Sequence, residues 1–240
     1  IHLAKKLNAP SSIKRYIVAA KPYLDELRAL GKHSVPRESV DTLLKAPRAI
    51  KGKRPEALKP EQLRALLVTA ASWPDKELAK FVLLASTTGA RVSEVCSIEG
   101  QDFDASEGTL RVFSTKTNAY RYIPLKWSLT LTELAKRGLS GLLVECGTWN
   151  ALPQFCKWNR LCKEAGIGEP EIRAIRRTVA SVVAASGRLT TAAYVAWLGH
   201  SGEIGLEFYQ DPNCERPAGS TLEAWLGCEA EFKALLAACF

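Results

Sequence analysis

The sequence predicts a mainly α-helical protein with one small antiparallel β-hairpin or sheet, which is an α+β fold. Apolar residues recur at helical spacing along most of the chain, and only two neighbouring segments, 109–114 and 121–125, are rich in β-formers instead. The hydrophobic fraction of 47% is enough to build a packed core, which argues against wholesale disorder. No apolar run approaches the roughly 20 residues needed to span a bilayer.

The first sixty residues predict two helices and then a linker. Two serines at 11–12 are good N-cap residues for a helix over 13–30, which stops at Gly31, and a shorter helix is predicted over 37–44. Prolines and dense charge over 46–59 are typical of a linker. We therefore predict a helical domain over 1–50, a basic linker over 51–59, a second domain over 60–212 and a tail helix over 213–240.

Helical spacing resumes beyond the linker, on both sides of the two β-rich segments. Pro60 suits the first turn of a helix, and Gly187 stops a later one. Turn residues at 116–119 join the β-rich segments into a hairpin, and Pro124 places the second strand at an edge or at its own end. The predicted helices cover 59–71, 75–87, 91–98, 152–165, 171–185, 190–198, 204–209 and 220–238.

Basic charge is concentrated at the front of the chain. Residues 1–60 carry fourteen Lys or Arg and five acidic residues, whereas the whole chain has a net charge of +8. This asymmetry favours a polyanionic partner, nucleic acid first and an anionic membrane surface second. A solvated surface that only confers solubility is the alternative interpretation. With nucleic acid as the partner, the residues that we expect to contact DNA are Lys14, Arg15, Lys51, Lys53 and Arg54.

Cysteine and histidine are poorly arranged for a metal site. The seven cysteines include no CxxC pair, and the chain has only three histidines. We therefore expect no structural zinc, and free thiols in a reducing compartment such as the cytoplasm or nucleoid. The sequence also contains no phosphate-binding GxxxxGK[ST] loop and no carboxylate cluster suited to two metal ions.

Four separate segments offer side chains suited to phosphoryl transfer. One follows a Thr-Gly-Ala turn, one lies at the predicted hairpin tip, one is a pair three residues apart on a helix face, and one follows a Leu-Gly turn. Each is weak alone, because a single arginine is usually a solvated surface charge. In chain order these side chains are Arg91, Lys116, Arg173, Arg176, His200 and Tyr209.

The order of these segments resembles that of the tyrosine site-specific recombinases, the phage integrase family. Residues 86–94, STTGARVSE, resemble the first arginine box of the family. Residues 173–181, RAIRRTVAS, resemble the second box, usually written HxxR. The LGHS sequence at 198–201, followed by Tyr209, is similar to the family's LGHS…Y segment, and Lys116 matches its hairpin lysine.

The resemblance extends over about residues 10–210, since the segment 10–31 is similar to the third-helix region of the family's core-binding domain. It implies a catalytic domain preceded by a partial core-binding domain. The implied partner is double-stranded DNA, bound by a homotetramer on paired sites, and no cofactor is expected. The implied location is cytoplasmic and nucleoid-associated, or the DNA compartment of a host cell if the chain comes from a virus or mobile element.

The resemblance also implies a role for each side chain. Arg91 and Arg176 would hold the phosphate oxygens, because a guanidinium fork matches two oxygens at once. His200 would donate a hydrogen bond to a non-bridging oxygen. Tyr209 would attack phosphorus to form a 3′-phosphotyrosine and a free 5′-hydroxyl, and Lys116 would protonate the leaving oxygen.

One residue departs from the family pattern. Arg173 stands where HxxR has histidine, and a guanidinium can add a cation but cannot serve as a neutral base. This departure favours a catalytically silent DNA-binding protein as the alternative, beside a type IB-like topoisomerase and a helical interaction module. Whether the tail over 213–240 is exchanged between protomers or packs on its own domain stays open.

Overall fold

The computed structural model of the chain describes residues 10–34, 36–43, 56–114, 117–145, 152–199 and 218–240. The chain divides into two compact units, Ile1–Arg54 and Pro55–Phe240. Within the described ranges, no helix is both long and apolar enough to cross a membrane.

The described part of the first unit is helical. It contains α1 (Pro10–Ala29) and α2 (Arg37–Leu43), close to the two helices that the sequence predicts. α1 begins three residues earlier than expected, since proline is well accommodated in the first turn. The chain leaves α1 through Gly31, whose φ of +68° is the left-handed conformation that favours glycine.

The second unit is built around a buried central helix. Four consecutive side chains in the middle of α4 (Lys76–Thr88), at 81–84, are at most 1% exposed, so this helix is covered on all sides. Its N-cap is Asp75, whose carboxylate accepts a hydrogen bond from the Leu78 backbone N–H at 3.2 Å. The described helices of this unit are α3 (Pro60–Ala71), α4 (Lys76–Thr88), α5 (Val92–Val95), α6 (Leu129–Lys136), α7 (Leu152–Glu164), α8 (Arg173–Ser186), α9 (Thr191–Leu198), α10 (Leu222–Trp225) and α11 (Glu229–Cys239).

The predicted helix over 91–98 is too long. The helix α5 ends at Val95, because the next residues form turn-like bonds and Ile98 leaves the helix to pair with a distant segment. The Ile98 carbonyl accepts from the Leu143 N–H at 3.0 Å. Gly100 then passes so close to the Leu139 carbonyl that a Cβ at position 100 would lie 2.0 Å from that oxygen.

The β-rich segments form a three-stranded antiparallel sheet in the order β1–β2–β3, rather than a hairpin alone. The strands are β1 (Phe103–Asp104), β2 (Thr109–Ser114) and β3 (Ala119–Pro124). The register pairs Val112 with Arg121 and Phe113 with Tyr120. Side chains alternate between two faces, so Val112 and Arg121 are buried while Tyr120 is 53% exposed. The predicted fold class, mainly α with a small antiparallel sheet, is confirmed.

The predicted tail helix over 220–238 is two helices, α10 and α11. They are separated at Gly227, whose φ of +64° cannot continue an α-helix. Both pack on the second unit of the same chain, since Phe232 and Leu235 are at most 1% exposed and α11 contacts α3 and α4. The Trp225 ring lies 5.7 Å from that of Trp127.

The tail also completes the start of another helix. The buried Glu223 carboxylate accepts hydrogen bonds from the Ser128 hydroxyl at 2.6 Å and from the Leu129 and Thr130 N–H groups at 3.1 and 3.0 Å. These N–H groups belong to the first turn of α6, which has no intrahelical partner for them. The residue pattern alone did not predict α6.

Candidate active site

Arg91 is placed by the sharp exit from the central helix. α4 ends at Gly89, which has a φ of +60° and lies so close to α8 that a Cβ there would be 2.9 Å from Val179 Cγ1. Two residues later Arg91 precedes α5, and its backbone N–H donates to the Glu94 carboxylate at 2.8 Å. Glutamate three residues into a helix start is a known way to satisfy such an N–H group. This turn aims the Arg91 side chain back over Glu94.

Glu94 lies at the centre of three guanidinium groups. Its side chain is 1% exposed, and it accepts from Arg91 Nη1 at 2.6 Å and from Arg121 Nη2 at 2.9 Å. Arg176 Nη1 lies 4.0 Å from the same carboxylate. One carboxylate therefore holds three arginines, which come from the start of α5, from β3 and from α8, respectively.

The surroundings of Glu94 keep it ionised. Burial would raise the pKa of this carboxyl, but the Arg121 charge and the bonds from Arg91 outweigh burial and lower its pKa to about 2. Burial in turn lowers the pKa of the Arg121 guanidinium, and the Glu94 charge only partly offsets this effect. With three cations and one anion, the cluster has a net charge of +2.

The same three arginines bind the C-terminal end of α9. Three successive backbone carbonyls there, at 197–199, each accept a hydrogen bond from a different arginine. Arg121 Nε donates to the Trp197 oxygen at 2.7 Å, Arg176 Nη2 donates to the Leu198 oxygen, and Arg91 Nη2 donates to the Gly199 oxygen at 3.1 Å. These carbonyls have no helical partner, and they carry the negative end of the helix dipole. The turn after α9 is thereby fixed to the cluster.

The cluster is suited to an anion with several oxygens. The Arg91 side chain is 26% exposed, whereas those of Arg121 and Arg176 are 7% and 10% exposed. Arg91 is thus the most accessible of the three, and the other two lie deeper. A positive field in a partly desolvated site stabilises negative charge that develops on a bound group more strongly than water-exposed arginines would.

The structure brings together some of the site residues that the sequence predicts and leaves others apart. The structure brings Arg91 and Arg176 together around Glu94, whereas Arg173, the first residue of α8, is exposed. Of the DNA-contact candidates, Lys14 and Arg15 lie in α1 of the first unit.

Several predicted residues lie outside the described ranges, namely Lys51, Lys53, Arg54, Lys116, His200 and Tyr209. Two described neighbours of this group contact Arg91. Ser114, two residues before Lys116, has its hydroxyl 3.4 Å from Arg91 Nη1, and Gly199 directly precedes His200.

Sequence reasoning missed Glu94 and Arg121. The signal for Glu94 was its spacing, three residues after Arg91 at a helix start. The signal for Arg121 was its position in β3, two residues before the core residue Ile123 and hence on the same buried face. A charged side chain on an apolar face is informative, because it requires a partner. In the described parts of the chain, no group of three or more His, Cys, Asp or Glu is arranged to hold a metal ion.

Comparison with known proteins gives both a sequence match and structural matches. Residues 56–147 match the family model of the phage integrase family. A lambda integrase (75–356) dimer bound to a COC′ core site is similar in structure, with a TM-score of 0.62 at 19% identity, covering 88% of this chain and 77% of that chain. A lambda integrase tetramer bound to a Holliday junction has a TM-score of 0.59 at 19% identity and 83% coverage of this chain, which spans 59% of that chain's length.

The XerH site-specific recombinase in a post-cleavage complex with palindromic difH is also similar. Its TM-score is 0.54 at 20% identity, and the match covers 84% of this chain and 65% of that chain. At such identities these matches show a common fold. No curated protein sequence matches the chain.

Proposed function

We propose that the chain is a site-specific DNA recombinase of the phage integrase family, whose family model matches residues 56–147. It cleaves and rejoins DNA strands through a 3′-phosphotyrosyl intermediate, without metal or ATP. The observation that carries the proposal is the buried cluster of Arg91, Arg121 and Arg176 around Glu94. Its neighbours Ser114 and Gly199 lead directly into the segments with Lys116, His200 and Tyr209.

The two arginines of the family pattern stabilise the phosphorane-like transition state. An in-line attack on a phosphodiester places negative charge on its equatorial oxygens, and fixed cations favour that state over the ground state. Arg91 is the accessible partner, because it uses only part of its five N–H donors on Glu94, Ser114 and Gly199. Arg176 supports it from the buried side, and Arg173 supplies a further cation from the surface.

The remaining roles fall on residues beside the cluster. Tyr209 attacks phosphorus, and its ordinary pKa of about 10 requires either nearby positive charge or loss of the proton during attack. Lys116 protonates the leaving 5′-oxygen as a general acid. His200 donates to a non-bridging oxygen. Because the covalent link preserves the bond energy, a second 5′-hydroxyl can reverse the step and join a new strand.

The first experiment is covalent trapping on a DNA pool, a format that does not require the target site to be identified beforehand. Purified chain is incubated with EDTA, without ATP, and with nicked duplexes that carry a randomised central segment. Denaturing gels then separate covalent complexes, and sequencing identifies the trapped DNA. We expect a covalent band that Tyr209→Phe abolishes and that Tyr122→Phe retains. Tyr122 is a matched control, because it is a tyrosine on the exposed face of β3.

A second experiment tests the general acid. Lys116→Ala should trap DNA slowly, and a substrate with a 5′-bridging sulfur at the scissile bond should restore the rate, since a thiolate leaves without protonation. Slow trapping on both substrates would assign Lys116 another role. Relaxation of a supercoiled plasmid without paired sites would instead indicate a type IB-like topoisomerase.

Arg173, which stands where the family pattern has histidine, favours one alternative, a catalytically silent DNA-binding protein of the same fold. That protein would bind duplex DNA without ever forming a covalent band.

DNA binding in either case should weaken with salt, with a logarithmic slope of about 0.9 for each phosphate contact. Replacing Lys51, Lys53 and Arg54 by alanine should therefore reduce the magnitude of the slope by up to about 2.7, the value for three phosphate contacts. A tetramer on paired sites should appear by light scattering of the trapped complex.

A further inference from the structure

Arg121 stands apart from the residues assigned so far. It lies on the inward face of β3, next along that face to Ile123, in the apolar core of the second unit. Its two hydrogen bonds join two different parts of the site, because Nη2 binds Glu94 at 2.9 Å and Nε binds the Trp197 carbonyl at 2.7 Å. One planar group thus connects the helix start that carries Arg91 with the end of α9.

The guanidinium also lies directly against Gly199. A Cβ at position 199 would be 3.1 Å from Arg121 Cδ and 3.6 Å from Nη1. Nη1 is itself buried and has no hydrogen-bond partner among the described residues. Arg121 therefore packs against Gly199 at the C-terminal end of α9, and the two N–H groups of its Nη1 form no hydrogen bond with the described residues.

An arginine is a costly residue for this position if its purpose is stability alone. Taking a guanidinium out of water is unfavourable, and apolar residues of similar volume often stabilise a core as well as a buried ion pair does. Its neighbour Ile123 is fully buried, so this face of β3 is otherwise apolar. Directional bonds at fixed angles are what an arginine adds over an apolar side chain.

We propose that Arg121 is a positioning residue of the recombinase site. It holds the Glu94–Arg91 pair and the Trp197–Gly199 turn in one fixed arrangement, so that the arginine cluster keeps a single geometry for the scissile phosphate. Arg121 does not touch the reacting atoms. The inference rests on the proposed function, since it assigns a role within the same site.

The experiment compares Arg121→Met with Arg121→Lys, and uses Arg111→Met as the matched control. Arg111 is an arginine on the outer face of the adjacent strand, paired with Asp102 at 3.0 Å, and its loss removes the same charge away from the site. Each variant is mixed with a saturating concentration of nicked duplex that carries the sequence recovered in the trapping experiment. The single-turnover rate constant, the trapped fraction and the DNA affinity are measured separately.

We expect Arg121→Met to lower the rate constant about 100-fold, the effect of misplacing a reacting group by about 1 Å. The trapped fraction and the DNA affinity should stay within about twofold of wild type. Arg121→Lys should recover about tenfold of the rate, since the ammonium keeps the charge but lacks the planar fork. Arg111→Met should react at the wild-type rate.

Two outcomes would overturn the inference about Arg121 and leave the proposed function standing. One is a wild-type rate for Arg121→Met. The other is a lower trapped fraction and melting temperature with an unchanged rate constant, which would reveal a purely structural role. If Arg121→Met does not fold, a wild-type rate for Arg121→Lys overturns it equally. Failure of the wild-type chain to trap any DNA would refute the proposed function, and the assignment of Arg121 with it.

Discussion

Replacement of Glu94 by glutamine should change how the stability of the second unit depends on pH. The pKa of Glu94 is about 2 in the folded chain, against 4.5 for an ordinary glutamate. At about 1.4 kcal/mol for each pKa unit, ionised Glu94 stabilises the folded state by about 3 kcal/mol at neutral pH. That is a large part of the roughly 5 to 15 kcal/mol by which domains are stable.

The sign follows from the lowered pKa. Because the folded chain holds the proton less tightly than the unfolded chain, the contribution is fully present above about pH 5 and is lost as the pH falls from there towards 2. By pH 3 about 2 kcal/mol of it should be gone. Glutamine does not titrate, so the wild-type advantage over Glu94→Gln should shrink by that amount between pH 7 and pH 3.

Urea unfolding at fixed ionic strength measures the difference, because the other carboxyl groups are common to both proteins and cancel. Glu133→Gln is the control. Its carboxylate is 47% exposed and lies 3.8 to 4.0 Å from its arginine and lysine partners. Pairs of this kind contribute little, so its difference from wild type should stay within about 0.5 kcal/mol across the range. A wild-type advantage over Glu94→Gln that does not vary with pH would refute the electrostatic account of the cluster.

Three further predictions concern packing and chemistry elsewhere in the second unit. Glu223→Ala leaves the first turn of α6 without its acceptor and should lower the free energy of unfolding by about 2 to 3 kcal/mol in urea, while the exposed Glu229→Ala should change it by less than about 0.5 kcal/mol. Gly100→Ala places a Cβ against the Leu139 carbonyl, so it should cost at least about 2 kcal/mol, and an unchanged urea midpoint would contradict that contact. Burial raises the pKa of two thiols, to about 12 for Cys162 and about 11 for Cys228. Iodoacetamide at pH 8, followed by mass spectrometry, should therefore modify the exposed Cys156 and leave these two unmodified until the chain is unfolded.

Local signals account for the part of the fold that the sequence predicts. Helices that carry their own N-cap residue and a glycine at their C-terminal end were placed to within a few positions. Asp75 and Gly89 delimit α4 in this way, and Thr190 and Gly199 delimit α9. The two longer strands were visible as β-rich runs. In each case the determining contacts are short in sequence, so a pattern of residue types is enough to indicate them.

Elements that depend on distant partners were missed. The helix α6 has Ser128 at its start, but the carboxylate that completes its cap comes from Glu223, 95 positions away. The strand β1 is two residues long, too short for any alternation to be seen. Arg121 looks like one more basic residue in a strand between two tyrosines, and only the fold places it beside Glu94. The roles of Lys116, His200 and Tyr209 stay predictions.

The packing of α11 against α3 has a consequence for the order in which the chain can fold during synthesis. The two helices begin about 170 residues apart. At about 5 to 20 residues per second, the ribosome needs roughly ten to thirty seconds to make the second after the first. Throughout that interval α3 lacks the helix that it packs against in the folded unit, where its Arg64 pairs with Glu231 at 3.2 Å. Nascent chains of intermediate length should therefore be the ones that chaperones bind most strongly.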